Sequence, residues 1–180
     1  MKKKFTHLND FDDTLVSVRE EVDGMRTYVT PEGNVYPSIT SILGRQENPG
    51  IEIWKKKVGE KEAKRITRES AILGTKVHSL CEDYLYNEKL KCNDAEAISV
   101  FNRLRFLLGN IDNIYCIEAP LHCDSLNVAG TVDCIAEYFD NKISIIDFKT
   151  SAKPKERKWI ENYFIPVSYT HLTLPTNREV

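Results

Sequence analysis

Apolar positions follow a helical period through the middle of the chain and a two-residue period toward its end. From Ile51 to Ser70 the spacing predicts a helix with Ile51, Trp54, Val58 and Ile66 turned inward. Gly74-Thr75 predicts a break, with Thr75 as the N-cap of a second helix carrying Val77, Leu80, Cys81, Tyr84 and Leu85 on its inner face. A third helix begins at Asn93 and aligns Ile98, Phe101, Leu104 and Leu108. Strands are predicted over Ile114 to Leu121, Val128 to Tyr138 and Lys142 to Lys149, and Pro154 precedes a last helix bearing Trp159, Ile160, Tyr163 and Phe164. Ahead of all these, residues 1–25 carry no clear pattern and read as a loosely held lead-in. Arg26 to Val35 reads as a hairpin around Pro31-Glu32-Gly33-Asn34, and Ser38 to Leu43 as a short helix capped by Ser38. Helices followed by three strands and a helix imply one α/β domain over residues 26–165, a central mixed sheet covered by helices.

The last strand ends in unusual chemistry. Ile143, Ile145, Ile146 and Phe148 mark it as buried, yet Asp147 and Lys149 stand at its end, two apart and on one face. An unpaired charge in a core costs several kcal/mol, about 3–5 when a buried pair is broken. The preceding strand supplies Asp133. Facing residues of an antiparallel pair have a constant number sum, and 133 with 147 centres on the Asp140-Asn141 turn. Opposed carboxylates repel unless a cation lies between them. A two-residue loop would shift the register by one and send the two Asp side chains to opposite faces, so an odd-length loop or a β-bulge is expected. Two Asp and one Lys then converge on a candidate metal site.

Gly130-Thr131-Val132-Asp133 followed by Asp147-Phe148-Lys149-Thr150-Ser151 resembles the core of the PD-(D/E)XK nuclease superfamily, in its RecB-like exonuclease branch. Gly74-Thr75-Lys76-Val77-His78 resembles the helical histidine motif of that branch. Tyr36-Pro37-Ser38-Ile39-Thr40-Ser41-Ile42-Leu43, with Trp54, Gly59 and Ala63, resembles the opening of its phage and mitochondrial genome maintenance exonucleases. The resemblance runs from about Tyr28 to Ile165. It implies a restriction-endonuclease-like core with an N-terminal helical region, and a DNA exonuclease that uses Mg²⁺ or Mn²⁺. His78, Asp133 and Asp147 would hold the metal, together with the backbone carbonyl of Phe148, and Lys149 would assist catalysis. Thr150 and Ser151 would touch DNA, either single-stranded or at an end. A neutral imidazole, which a metal requires, suits the N-terminus of a helix, where His78 is expected. Glu82 lies one turn on and reads equally as a partner of His78 or as a solvated neighbour. Glu118 reads as a surface strand position, with an acidic site residue as the alternative.

Charge adds one candidate. The net charge of −2 creates no general attraction for nucleic acid. Lys57, Lys61, Lys64, Arg65 and Arg68 nevertheless form a stripe on the helix predicted from Ile51, interrupted by Glu60, Glu62 and Glu69. The stripe fits an ordinary solvated face as well as a phosphate-tracking ridge, and the nuclease resemblance favours the ridge. The chain of 180 residues, 41% hydrophobic, is long enough for a real core. No apolar run approaches the ~20 residues of a membrane span, and the Lys2-Lys3-Lys4 start lacks the apolar stretch of a secretory signal. Five cysteines with no Cys-x-x-Cys pair argue against a disulfide framework, a zinc site or an iron–sulfur cluster. They suit reduced thiols in the cytoplasm of a bacterium or a phage-infected cell.

One departure from the resemblance stands out. Relatives carry a Gln and, four residues later, a Tyr on the helix after the Lys-Thr-Ser strand. Here Tyr163-Phe164-Ile165 meets Pro166, which a helix interior does not tolerate. Residues 166–180 show no helical period and resemble the translated adapter tail of a mis-assembled sequence. The expectation is a nuclease domain incomplete at its C-terminus, with a catalytically impaired nucleic-acid-binding fragment as the alternative.

Overall fold

A computed structural model of the protein describes residues 3–8, 16–22, 24–45, 49–139 and 141–151. The helix expected after Pro154 and the tail from Pro166 lie outside the described residues. Among the described residues the elements follow in the order β1 (Thr6–His7), β2 (Val18–Val22), β3 (Met25–Val29), β4 (Val35–Pro37), α1 (Ile39–Leu43), α2 (Pro49–Val58), α3 (Glu60–Leu85), α4 (Ala95–Leu108), β5 (Ile111–Cys123), β6 (Val128–Tyr138) and β7 (Lys142–Ile146). The main sheet has the order β1-β5-β6-β7, with β1 parallel to β5 and the other pairs antiparallel. It is the central mixed sheet of an α/β fold, flanked by helices and consistent with a restriction-endonuclease-like core. β2, β3 and β4 form a smaller antiparallel sheet. Among the described residues no helix is long and apolar enough to cross a membrane.

The core lies between the main sheet and the α3–α4 pair. Val77, Leu80, Cys81, Tyr84 and Leu85 of α3 meet Ala97, Phe101 and Leu108 of α4 over Ile111, Ile114, Cys134, Ala136 and Phe148. These include every inward residue predicted for the second helix and Phe101 and Leu108 of the third, with Ile98 and Leu104 partly buried against them. Asp94 caps α4, its side chain accepting from the Ala97 amide at 2.9 Å. Ser38 occupies the N-cap position of α1 without a side-chain cap bond, because its hydroxyl pairs with Thr40 Oγ1 at 2.8 Å.

Three expectations are corrected. The lead-in is structured where it is described: Thr6 and His7 pair with β5, Phe5 is buried, and Val18–Val22 forms β2. Gly74-Thr75 does not break the helix. α3 runs through both, because the Thr75 hydroxyl donates to the Ala71 carbonyl at 3.1 Å within the helix instead of capping a new one. The break lies earlier, at Gly59, whose φ of 85° is reserved for glycine. α2 therefore departs from the axis of α3 and buries no residue. Ile51 is exposed and Trp54 and Val58 are only half-buried.

The small sheet is fastened to the large one by polar ties. Tyr28, fully buried, shares a hydrogen bond with Thr131 Oγ1 at 3.1 Å. Tyr36 donates to Asp124 Oδ1 at 2.6 Å, and buried Ser17 shares a hydrogen bond with His122 Nδ1 at 2.9 Å. The second imidazole nitrogen of His122 lies 3.7 Å from Asp124 Oδ2.

Candidate functional site

The β6–β7 register is the one the odd loop predicts. Cys134 faces Ile146 and Tyr138 faces Lys142, with a three-residue connection over 139–141 in which Phe139 and Asn141 have positive φ. Extending the register by one pair brings Asp133 opposite Asp147. The β5–β6 register, running from Ile117↔Cys134 to Ala119↔Val132, brings Glu118 opposite Asp133 on the other side. Three carboxylates therefore stand in a row across β5, β6 and β7.

The pleat inverts at this row. Ile117 and Cys134 belong to the core under the helices, whereas Ala119 and Val132 pack with Leu121 and Ile135 in a separate cluster. A regular strand keeps residues i and i+2 on one face. Glu118 has a φ of 50°, a conformation costly for a residue with a Cβ and one that recurs at functional sites. Of the two readings the sequence leaves for Glu118, a surface strand position and an acidic site residue, its place beside His78 and Asp133 supports the second. The constant sum of 251 across the β5–β6 turn is the signal that places it beside Asp133.

His78 arrives from the middle of α3, so the helix N-terminus does not act on it. Its environment is carboxylate instead. Nε2 donates to the Phe148 carbonyl at 2.7 Å, which turns Nδ1 toward Glu118 Oε1 at 3.8 Å and Asp133 Oδ2 at 3.7 Å. The Glu118 carboxylate first, then Asp133 and the Phe148 carbonyl, raise the imidazole above its usual value of 6.5 against the effect of burial. The Phe148 ring meets the imidazole edge to face, with centroids 5.8 Å apart. Asp133 is nearly enclosed, and burial pushes its carboxyl up to about 6 despite His78 and a hydrogen bond from the Phe148 amide. One ligand atom each from His78, Glu118 and Asp133 lie within 4.8 Å of one another. Such a set of one imidazole nitrogen and two carboxylate oxygens could hold a divalent cation.

Asp147 stands beside that set and bonds to Lys149 Nζ through Oδ1. Both line one cavity of about 420 Å³ with His78, Glu118 and Asp133. Glu82 is half-buried near them, and burial followed by the Glu118 charge raises its carboxyl. Thr150 and Ser151 line a different cavity, with Ile66, Leu73 and Val100 between α3 and α4. The basic stripe is not continuous: Lys57 lies on α2, ahead of the Gly59 break, while Lys61, Lys64, Arg65 and Arg68 lie on α3. Arg65 is held by Glu62 and Glu69, each at 2.7 Å. Arg19 and Arg26, which sequence reading did not single out, line the same cavity as the carboxylates.

Across the known proteins, the chain is 31% identical to Mitochondrial genome maintenance exonuclease 1 of Homo sapiens over 133 residues, 68% of this chain and 38% of that protein. The Mus musculus protein of the same name is 28% identical over 132 residues, covering 68% and 39%. That of Xenopus tropicalis is 31% identical over 130 residues, covering 66% and 37%. The chain thus spans well under half the length of the curated relatives it matches. No protein-family model matches it. The similarity is to proteins named as exonucleases.

Proposed function

We propose that the chain is a metal-dependent DNA exonuclease domain of the RecB-like branch of PD-(D/E)XK nucleases. The observation that carries this reading is the convergence of His78, Glu118, Asp133, Asp147 and Lys149 on one cavity, in a chain about 30% identical to named exonucleases. Opposed carboxylates repel, so a fold that lines up three of them has a use for a cation. His78, Glu118 and Asp133 would hold it, with Asp147 beside them. The Phe148 carbonyl, read from sequence as a ligand, here orients the imidazole. A bound Mg²⁺ or Mn²⁺ supplies Lewis acidity, lowering the pKa of a water and offsetting charge on a phosphate. Asp147 holds the Lys149 side chain at the cavity, where the ammonium would meet a phosphate oxygen and stabilise the charge that builds during hydrolysis. Lys57, Lys61, Lys64 and Arg68 would guide the strand toward the cavity, and DNA as a single strand or an end is the substrate this reading requires. Five free cysteines suit a reducing compartment, the cytoplasm of a bacterium or phage-infected cell in our reading.

Release of nucleotides from end-labelled DNA, with and without Mg²⁺ or Mn²⁺, tests the proposal. Lys149→Ala should keep the metal-induced rise in melting temperature and lower kcat at least a hundredfold. DNA binding without metal-dependent hydrolysis would identify a binding fragment and overturn the enzyme reading.

A further inference from the structure

The cavity has a second wall that the metal does not explain. β2 and β3 pair with Arg19 opposite Tyr28 and Glu21 opposite Arg26, so Arg19, Glu21, Arg26 and Tyr28 share one face of the small sheet. Arg19, Arg26 and Tyr28 line the same cavity as Glu118, Asp133, Asp147 and Lys149, which stand on or beside the large sheet. Tyr28 is locked there by Thr131, and the Arg26 carbonyl accepts from the Ser38 amide at 3.0 Å, so the backbone carrying both arginines is anchored. Neither guanidinium has a carboxylate within ion-pair distance among the described residues, Glu21 included. Arg65, by contrast, spends its charge on two glutamates.

We infer that Arg19 and Arg26 are substrate-binding residues that hold a phosphate of the DNA strand against the small sheet while its neighbour lies at the carboxylate row. This rests on the nuclease reading and adds to it the wall that receives the backbone. A guanidinium presents a planar fork of donors matched to phosphate oxygens, and two on one rigid sheet face make a two-point grip. A polyanion also needs cationic surface on the side of the cavity away from the metal, since the carboxylates repel it. The cavity volume of about 420 Å³ is that of a pocket for one drug-sized molecule, room for about one or two nucleotides. The phosphate could be an internucleotide diester or a terminal monoester, and both share the oxyanion that the arginines recognise.

Fluorescence anisotropy with short single-stranded oligonucleotides, one set 5′-hydroxyl and one set 5′-phosphorylated, tests this with Ca²⁺ replacing Mg²⁺ to slow hydrolysis. Arg19→Gln and Arg26→Gln should each weaken binding roughly tenfold and lower the slope of log K against log salt by about 0.7 per lost contact. Arg26→Lys should retain the slope and lose affinity, because the charge remains and the fork does not. Melting temperature and its rise with metal should be unchanged, as the guanidinium groups hold no carboxylate partner among the described residues. Loss with both probe sets assigns a diester, and loss confined to the phosphorylated set assigns a terminal phosphate. Unchanged affinity and slope in both Gln variants, while the native chain binds and cleaves, would overturn the inference and leave the nuclease reading standing. A native chain that binds neither set would remove both.

Discussion

Asp133 shows what the site demands of a single residue. Its carboxyl is pushed up to about 6 from a usual value near 3.8, burial being the main cause. The folded state therefore binds this proton more tightly than the unfolded chain does. Without metal, stability should fall as pH rises from about 4 to about 6 and stay lowered above. His78 acts with the same sign: its raised imidazole adds stability below pH 6.5 that is lost as pH rises through its folded value. At pH 8 only the Asp133 penalty is left. Metal-free Asp133→Asn should then unfold in urea with on the order of 1–3 kcal/mol more stability than the native chain, and below pH 4 the two should converge. The same variant should lose the rise in melting temperature that Mg²⁺ or Mn²⁺ gives. Asp147 and Lys149 were legible from their own neighbourhood, because a charged pair at the end of an apolar strand is anomalous by itself. Glu118 was not, since alternation alone puts a strand glutamate at the surface and only the register across a turn reveals its neighbour. Arg19 and Arg26 were hidden for a third reason: their importance comes from a sheet that packs over residues a hundred positions away.

Between residue and molecule, glycines decide where the helices run. Both Gly59 and Gly74 interrupt a helical pattern, and sequence reading placed the break at the wrong one. The difference is backbone conformation, which composition does not report. Gly59 has a φ of 85°, so Gly59→Ala should destabilise by about 1–2 kcal/mol. Gly74 is helical, and a Cβ there would meet Thr150 Oγ1 at 3.5 Å, an ordinary contact. Gly74→Ala should stabilise α3 by about 0.5–1 kcal/mol, so chemical denaturation of the two variants should shift in opposite directions. The strand hairpin was read correctly for a reason of parity. Only an odd connection puts Asp133 and Asp147 side by side, and the three residues at 139–141 satisfy it. α2 was misread because an amphipathic period says which residues share a face without saying whether anything covers that face.

On the scale of the whole molecule, the cleft is a seam between two sheets held by side-chain hydrogen bonds. Ser17→Ala would leave the buried His122 imidazole without its partner, and such a loss costs about 1–3 kcal/mol. Urea denaturation should show that loss with the metal response intact, since neither residue lines the cavity; a larger metal effect in the variant would mean that the seam reports on the site. The cavity is also assembled late. Its residues are spread from Arg19 on β2 through His78 on α3 to Lys149 beyond β7, and no short stretch of chain contains more than a few of them. During synthesis, His78 leaves the ribosome several seconds before Lys149 at about 5–20 residues per second. In that interval the imidazole has no carboxylate row to meet and the arginines have no wall to face. A growing chain thus carries the parts of the cleft without the cleft, and whatever chemistry the site performs arrives only with the closing of the fold.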